Sequence, residues 1–447
     1  MLTHHNTRNP ILPLDVHVPD GEAHVMPDGK LYIYGSFDKR SDVFCSEEYH
    51  VVSTADLANW EIHGTALEGK DIPWFNNPEA PKYPGIDWSN PTPFIRKMLE
   101  SVDHLAEKEK FETAPDVVKP PLLFAPDAVH KDGKYYLYFC MPDDSEGVAV
   151  ADNPTGPFCD PIQLPSGGID PAVFIDEDGQ AYFYWGQLFS HGVKLNDDLI
   201  SLDREAIVDD LVTEEVHYFH EGSSMRRIGD TYYLVYSNIE RGKPTSLGYA
   251  TSKSPLGPFE YRGIIIDNEK CDPASWNNHG SIEQFNGRWY VFYHRCSRGV
   301  QQYRRLCIEP ITINEDGSID EVKMTSQGVG KSFGPGEKIM GYQACELQGK
   351  AFFDTDSTCG EKLTQIEKGD QALYRYVQSE SPFTVIEIAA SGNGTISVRF
   401  DGEDAGTIEI KDGQQLSRTI NNKAGTYAIG LHFLETDALE ILSITLH

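Results

Sequence analysis

The stretch GGIDPAVFIDEDGQAYFYWG (residues 167–186) is an apolar run, an Asp-Gly turn and a second run of alternating aromatics, the pattern of a tight β-hairpin. The pattern recurs along the chain. DGEAHVMPDGKLYIYGSFD starts at Asp20 and EGSSMRRIGDTYYLVYS at Glu221, and in all three an acid precedes a tyrosine (Tyr32, Tyr182 or Tyr233) by twelve residues. Two more hairpins keep the phase. FAPDAVHKDGKYYLYF counts back from Tyr136 to Phe124, and NHGSIEQFNGRWYVFYH from Tyr290 to Asn278, beside His279. After the first, the units follow one another at about 50 residues, the length of a four-stranded propeller blade. One hairpin cannot bury two apolar faces, so units of this kind stack around an axis. The expected fold is all-β, a five-bladed β-propeller over residues 1–337. The longer first interval holds an insertion at about residues 68–120, whose PTPFIRKMLESVDHLAEKEKF reads as an amphipathic helix placed to wall off one side of a mouth.

In a propeller the innermost strands surround the axis, so their first positions form a ring at one mouth. Three ring positions are carboxylates: Asp20, Asp170 and Glu221. Asp127 lies three residues inside its strand and His279 one residue inside. Converging like charges cost free energy, so acids in one phase point to chemistry rather than to solvated strand caps. One protonated and one ionised carboxyl across a pocket are the equipment of glycoside hydrolysis, and a third tunes them. Glu22, two residues beyond Asp20 and on the same strand face, competes with it as general base. Other chemistries lack their motifs. There is no GxSxG, no GxGxxG opening a helix and no HExxH, and GVGKSFGPG (328–336) lacks the strand and helix of a phosphate loop.

A net charge of −31 argues against nucleic acid or an anionic membrane as partner and suits a neutral oligosaccharide. Eight scattered cysteines without CxxC read as free thiols, and no signal peptide is visible, so a cytoplasmic location is expected.

These hairpins resemble those of family 43 glycoside hydrolases, five-bladed propellers that invert at the anomeric carbon. The resemblance covers about residues 8–325 and includes NPILP, DPAVFIDEDG, HEGSSMRRIGDTYYLVYS and HGSIEQFNGRWYVFYH. It implies Asp20 as general base, Asp170 as orienter and pKa modulator, and Glu221 as general acid. It departs at the base, where the family's ADPS is replaced by PDGEAH. It also implies that His279 helps hold Ca2+, or another cation, on the axis. Asp127 is read as a substrate-binding or structural residue. Arg295 and Arg304 are candidates for gripping sugar hydroxyls or fixing the acids, and Phe37, Trp74 and Trp185 for sugar platforms.

From residue 338 the texture changes to short alternating strands between Gly, Asn and Asp turns, a β-sandwich over 338–447. GDQALYRYV and LEILSITLH resemble a family 6 carbohydrate-binding module. The resulting expectation is an exo-acting inverting glycosidase that releases a terminal pentose, α-L-arabinofuranose first. The alternatives are a β-xylosidase or exo-galactanase of the same fold, and, in another class, a non-catalytic carbohydrate-binding propeller.

Overall fold

The structure, a computed structural model, describes residues 1–86, 92–101, 119–272, 276–356, 360–411, 416–420 and 422–447. The five hairpins form the inner halves of five antiparallel sheets. Their innermost strands are β1 (Glu22–Val25), β2 (Asp127–Lys131), β3 (Ala172–Ile175), β4 (Phe219–Ile228) and β5 (Ser281–Phe285). Each packs beside the next, and β5 meets β1 again at a parallel bridge between Gly21 and Gly280. The fifth sheet continues through β6 (Arg288–Ser297) and β7 (Val300–Ile311). The N-terminal run seals the ring against β7. Ile11 N–H donates to the carbonyl of Leu306 (3.0 Å), and the Asn9 amide exchanges hydrogen bonds with the backbone of Ile308 (3.1 and 3.0 Å).

Turn chemistry sets the hairpins. Asp132-Gly133 and Asn286-Gly287 take positive φ at both residues (51° and 78°, 50° and 77°), the two-residue turn whose twist matches the flanking strands. The hairpins at Gly29 and Gly179 close through longer loops, because Val25 pairs with Leu31 and Ile175 with Ala181. Glu221 keeps the twelve-residue count despite its short turn because β4 is bulged between Phe219 and Ser224. Neighbouring sheets enclose aromatic cores, such as Tyr34, Tyr49, Trp74 and Phe139 between the first two. Each such ring withdraws on the order of 150–250 Å² from water.

The insertion supplies helix α1 (Pro93–Ser101), with proline at its first turn and Thr92 Oγ1 accepting the N–H of Ile95 (3.3 Å). Ile95 is buried, Phe94 meets Phe189 with ring centres 6.0 Å apart, and Phe94 N–H donates to Asp210 (2.8 Å). Residues 102–111 of the expected helix lie outside the described residues.

A second hydrophobic core begins at Phe333, a few residues before the expected boundary, and runs to Leu446. Its strands include β8 (Gly360–Thr364), β9 (Val385–Phe400) and β10 (Gly425–Leu446). Register shifts along the β9–β10 pair bend these long strands around the core. The two domains share a polar seam, in which the N–H groups of Ser326 and Gln327 donate to the carbonyl of Arg375 (2.8 and 2.9 Å). GVGKSFGPG belongs to this seam. Gly330 N–H donates to the carbonyl of Thr7 (3.0 Å), and a Cβ on Gly328 would stand 2.9 Å from the same oxygen. Cys45, Cys140, Cys159, Cys296, Cys307 and Cys345 are free thiols. Among the described residues no helix is long and apolar enough to cross a membrane.

Candidate active site

Asp20 and Asp170 occupy the same backbone state, a left-handed turn (φ 57° and 55°) just before β1 and β3. Asparagine and aspartate enter this region at less cost than other non-glycine residues, and here the turn aims both carboxylates at the axis. Glu221 lies within β4 and is followed by Gly222 at φ 73°. Three strands therefore bring the three expected acids to one mouth.

His279 joins them. Its Nδ1 lies 3.8 Å from Asp20 Oδ1 and 3.7 Å from Asp170 Oδ2. Asn278, the residue in phase, instead turns away and donates to the carbonyl of Thr245 (3.1 Å). Gly222 leaves room for the imidazole, since a Cβ there would stand 2.8 Å from the ring. Gly222→Ala is accordingly expected to displace His279 and lower kcat by about 100-fold. Gly229→Ala, at a similar φ of 60° but with nothing within 4 Å, should spare it. Comparing the kcat values of the two folded variants checks this.

Asp20 is 4% exposed, and Arg304 Nη1 donates to it at 2.8 Å. The same guanidinium is held flat by Asp38, which accepts from Nε and Nη2 at 2.9 Å each. Burial alone would raise the pKa of Asp20; Arg304, helped by His279 and His294, outweighs it and holds the carboxyl below its usual range. His294 is itself driven down to about 3 by burial, so Arg304 supplies the permanent charge. Asp170 goes the other way. Burial first, then Glu221 and Asp20, push its pKa well above the carboxylate range. Glu221 sits half-buried at the rim, its Oε2 accepting from Gln187 Nε2 at 2.7 Å. The mouth thus sets a carboxylate clamped and held low by Arg304 beside one pushed high and one half-buried at the rim.

Beside Gln187 a cavity of about 250 Å³ is lined by Pro84 and Ile86 of the insertion and by Gly168, Leu188 and Phe189. Gly167 has no room for a side chain, because a Cβ would stand 1.3 Å from the carbonyl of Tyr83. Residues 84–86 of the insertion thus line a cavity next to Gln187, the partner of Glu221.

Several expected contacts fall elsewhere. Glu22 and Asp127 are not at the mouth contacts of Asp20 but in a buried network along the axis. Glu22 accepts from Arg226 Nη2 (2.7 Å) and Ser224 (2.9 Å); Asp127 accepts from Val173 N–H (2.7 Å), Ala128 N–H (2.6 Å) and His24 (2.7 Å). Burial, partly offset by Arg226, raises Glu22 to about 7, and burial likewise raises Asp127 to about 7. Glu22, expected as a rival base or sugar contact, is thus held by protein partners, and Asp127 takes the structural of its two expected places. Trp185 (2% exposed) is stacked between Phe183 and His191, and Trp74 (6%) on Phe139, so neither offers a face to sugar. Arg295 turns outward to Cys307 Sγ and the carbonyl of Thr325 (2.9 and 3.0 Å), toward the domain seam. Arg304 fixes Asp20 rather than reaching for hydroxyls. Phe37 stays half-buried with its ring 4.3 Å from that of His50, so the structure shows it packed on the blade and not facing the acids. The sequence reading passed over Asp38, His294 and Gln187, which carry no spacing signal, and Trp276, 47% exposed and three residues before His279.

The family model for glycosyl hydrolases family 43 matches residues 97–319. A xylosidase/arabinosidase of Thermoclostridium stercorarium is 32% identical over 76% of this chain and 72% of its own. The chain belongs to glycoside hydrolase family 43. As a family 43 enzyme it is a glycoside hydrolase, and its propeller also matches, at TM-score 0.54 and 30% identity, a β-xylosidase/α-arabinofuranosidase from a compost metagenome solved with xylotriose in a calcium-free form. That match covers 72% of this chain and 99% of the other. An arabinoxylan arabinofuranohydrolase of Bacillus subtilis is 25% identical over 96% of this chain and 88% of its own, sandwich included. For calcium, which takes six to eight oxygen ligands, the family 43 site here offers His279, an Asp20 already bound to Arg304, and Asp170. These side chains alone do not make a calcium cage. Among the described residues the grouped donors are Glu22, His24 and Asp127, and Arg226 already meets their charge.

Proposed function

We propose that the protein removes terminal pentoses from plant-type oligosaccharides by single-displacement inversion, α-L-arabinofuranose being the preferred sugar. The observation that carries the proposal is the asymmetry of the three acids. Asp20, kept ionised by Arg304, takes the proton of a water on one face of the sugar. Glu221, held at the open rim by Gln187, delivers a proton to the leaving oxygen on the other face. Asp170, its pKa pushed up by burial and by both neighbouring acids, orients the sugar and tunes the pair. These steps use side chains alone. The cavity against the insertion leaves room for one end of a chain, which supports exo cleavage. Trp276, 47% exposed and three residues before His279, is proposed as an apolar face for a sugar ring.

The relatives that extend through the sandwich carry the name arabinoxylan arabinofuranohydrolase, which supports arabinofuranose. A second reading, β-xylosidase, is favoured by the propeller relatives at 30–32% identity, which are named for both sugars. Free thiols at Cys45, Cys140, Cys159, Cys296, Cys307 and Cys345 support a reducing, cytoplasmic setting. The sandwich is proposed as a family 6-like module whose first role is packing on the propeller.

Assays on 4-nitrophenyl α-L-arabinofuranoside, β-D-xyloside and β-D-galactoside test the proposal. The arabinofuranoside should give the highest kcat/KM and the galactoside the lowest. Turnover of neither pentoside would contradict it, and would return the propeller to a binding role.

A further inference from the structure

Strand β7 carries two guanidiniums in succession, and neighbouring residues of a strand point to opposite faces. Arg304 turns into the mouth, to Asp38 and Asp20. Arg305 turns to the second domain, where its Nη1 and Nη2 each donate to one carboxylate oxygen of Glu361 on β8, and Arg298 Nε lies 3.7 Å from the same carboxylate. Glu361 and Arg305 are 2% and 3% exposed. Beside this pair the sandwich also grips the β6–β7 turn. Gly299 (φ 66°) packs so closely that a Cβ would stand 3.1 Å from the ring of Phe352. A two-pronged, buried pair of this kind fixes direction as well as distance, which a single exposed contact does not.

We infer that Glu361 is a positioning residue for the reaction: through Arg305, the backbone of β7 and Arg304 it fixes where the carboxylate of Asp20 points. The inference rests on the reading of Asp20 as general base. It gives the sandwich a part in catalysis that needs no sugar bound to it. The hairpin β6–β7 is clamped at both ends of its width, by Asp38 inside the propeller and by Glu361 outside. Loosening the outer clamp lets the strand, and Arg304 with it, shift relative to Asp20. A shift of about 1 Å in a catalytic group is enough to cost up to two orders of magnitude in rate.

The test is a double-mutant cycle in the full chain. Glu361→Gln should lower kcat about tenfold on activated aryl and natural substrates alike, with KM unchanged, since base positioning does not depend on the leaving group. Arg304→Lys, which keeps the charge but loses the fork, should lower kcat about 100-fold. Because both act on Asp20 through one strand, Glu361→Gln/Arg304→Lys should lose no more than Arg304→Lys alone. A folded Glu361→Gln with full kcat, or losses that multiply in the double variant, would overturn the inference. If Glu361→Gln does not fold, Glu361→Leu/Arg305→Leu removes the charge from both sides of the pair. That variant should show the same tenfold loss, and full activity in it would equally overturn the inference. No loss in Arg304→Lys would instead overturn the assignment of Asp20.

Discussion

Glu221→Gln is expected to lower kcat on arabinoxylo-oligosaccharides by about 100- to 10,000-fold while leaving most of the rate on aryl glycosides with good leaving groups. The difference follows from the place of Glu221. It is the one acid of the three at the rim, and it is tied to the surface of the cavity through Gln187. A leaving group of high basicity needs its proton in the transition state, and a 4-nitrophenolate does not. Glutamine keeps the shape and the hydrogen bond to Gln187 but brings no proton. Equal losses on both substrate classes would place Glu221 outside the leaving-group side. Measuring kcat for a series of aryl leaving groups gives the slope directly, and the slope should steepen in the variant.

The second large effect separates Asp20 from Glu22. Asp20→Asn is expected to lower kcat by about 1,000-fold on every substrate, because deprotonating water is required whatever leaves. Azide, a nucleophile that needs no base, should restore part of the rate to Asp20→Ala. Glu22→Gln acts differently from what strand periodicity alone suggests. Glu22 shares a strand face with the mouth, but its carboxylate is taken by Arg226 and Ser224 inside the axis. Weakening that pair leaves Arg226 short of a buried partner and should cost about 3 kcal/mol of stability. The kcat of the folded variant should stay within a few-fold of the parent. Thermal denaturation and kinetics on the two variants check both halves. A stable, dead Glu22→Gln beside a merely weakened Asp20→Asn would reverse the assignment.

Much of this site is legible in the chain because it follows from period and turn chemistry. Five hairpins stacked around one axis bring equivalent residues to one end of it, so counting from Tyr32, Tyr182 and Tyr233 finds Asp20, Asp170 and Glu221. The count survives at Glu221 because a bulge in β4 makes up for a shorter turn, which no residue pattern announces. It slips in the fifth blade, where Asn278 is in phase and His279 faces the acids. What the count cannot reach are partners drawn from other strands. Arg304 meets Asp20 and Asp38 across 284 and 266 residues of sequence. Periodicity also does not separate a buried indole from an open one. Trp185 and Trp74 lie within the packed blades, whereas Trp276 is exposed in a loop with no strand pattern to mark it. Glu22 shows the limit of face arguments: period 2 gives the side of the strand, and Arg226 decides which way the carboxylate goes.

The central claim is that an ionised Asp20 and a proton-donating Glu221 act on opposite faces of one sugar, with water attacking directly. Proton NMR of the first product, taken before mutarotation, tests it most directly. The account predicts that the released pentose appears with the anomeric configuration opposite to that of the substrate. A product that first appears with the substrate's own configuration would mean a covalent intermediate and would contradict the roles given to all three acids.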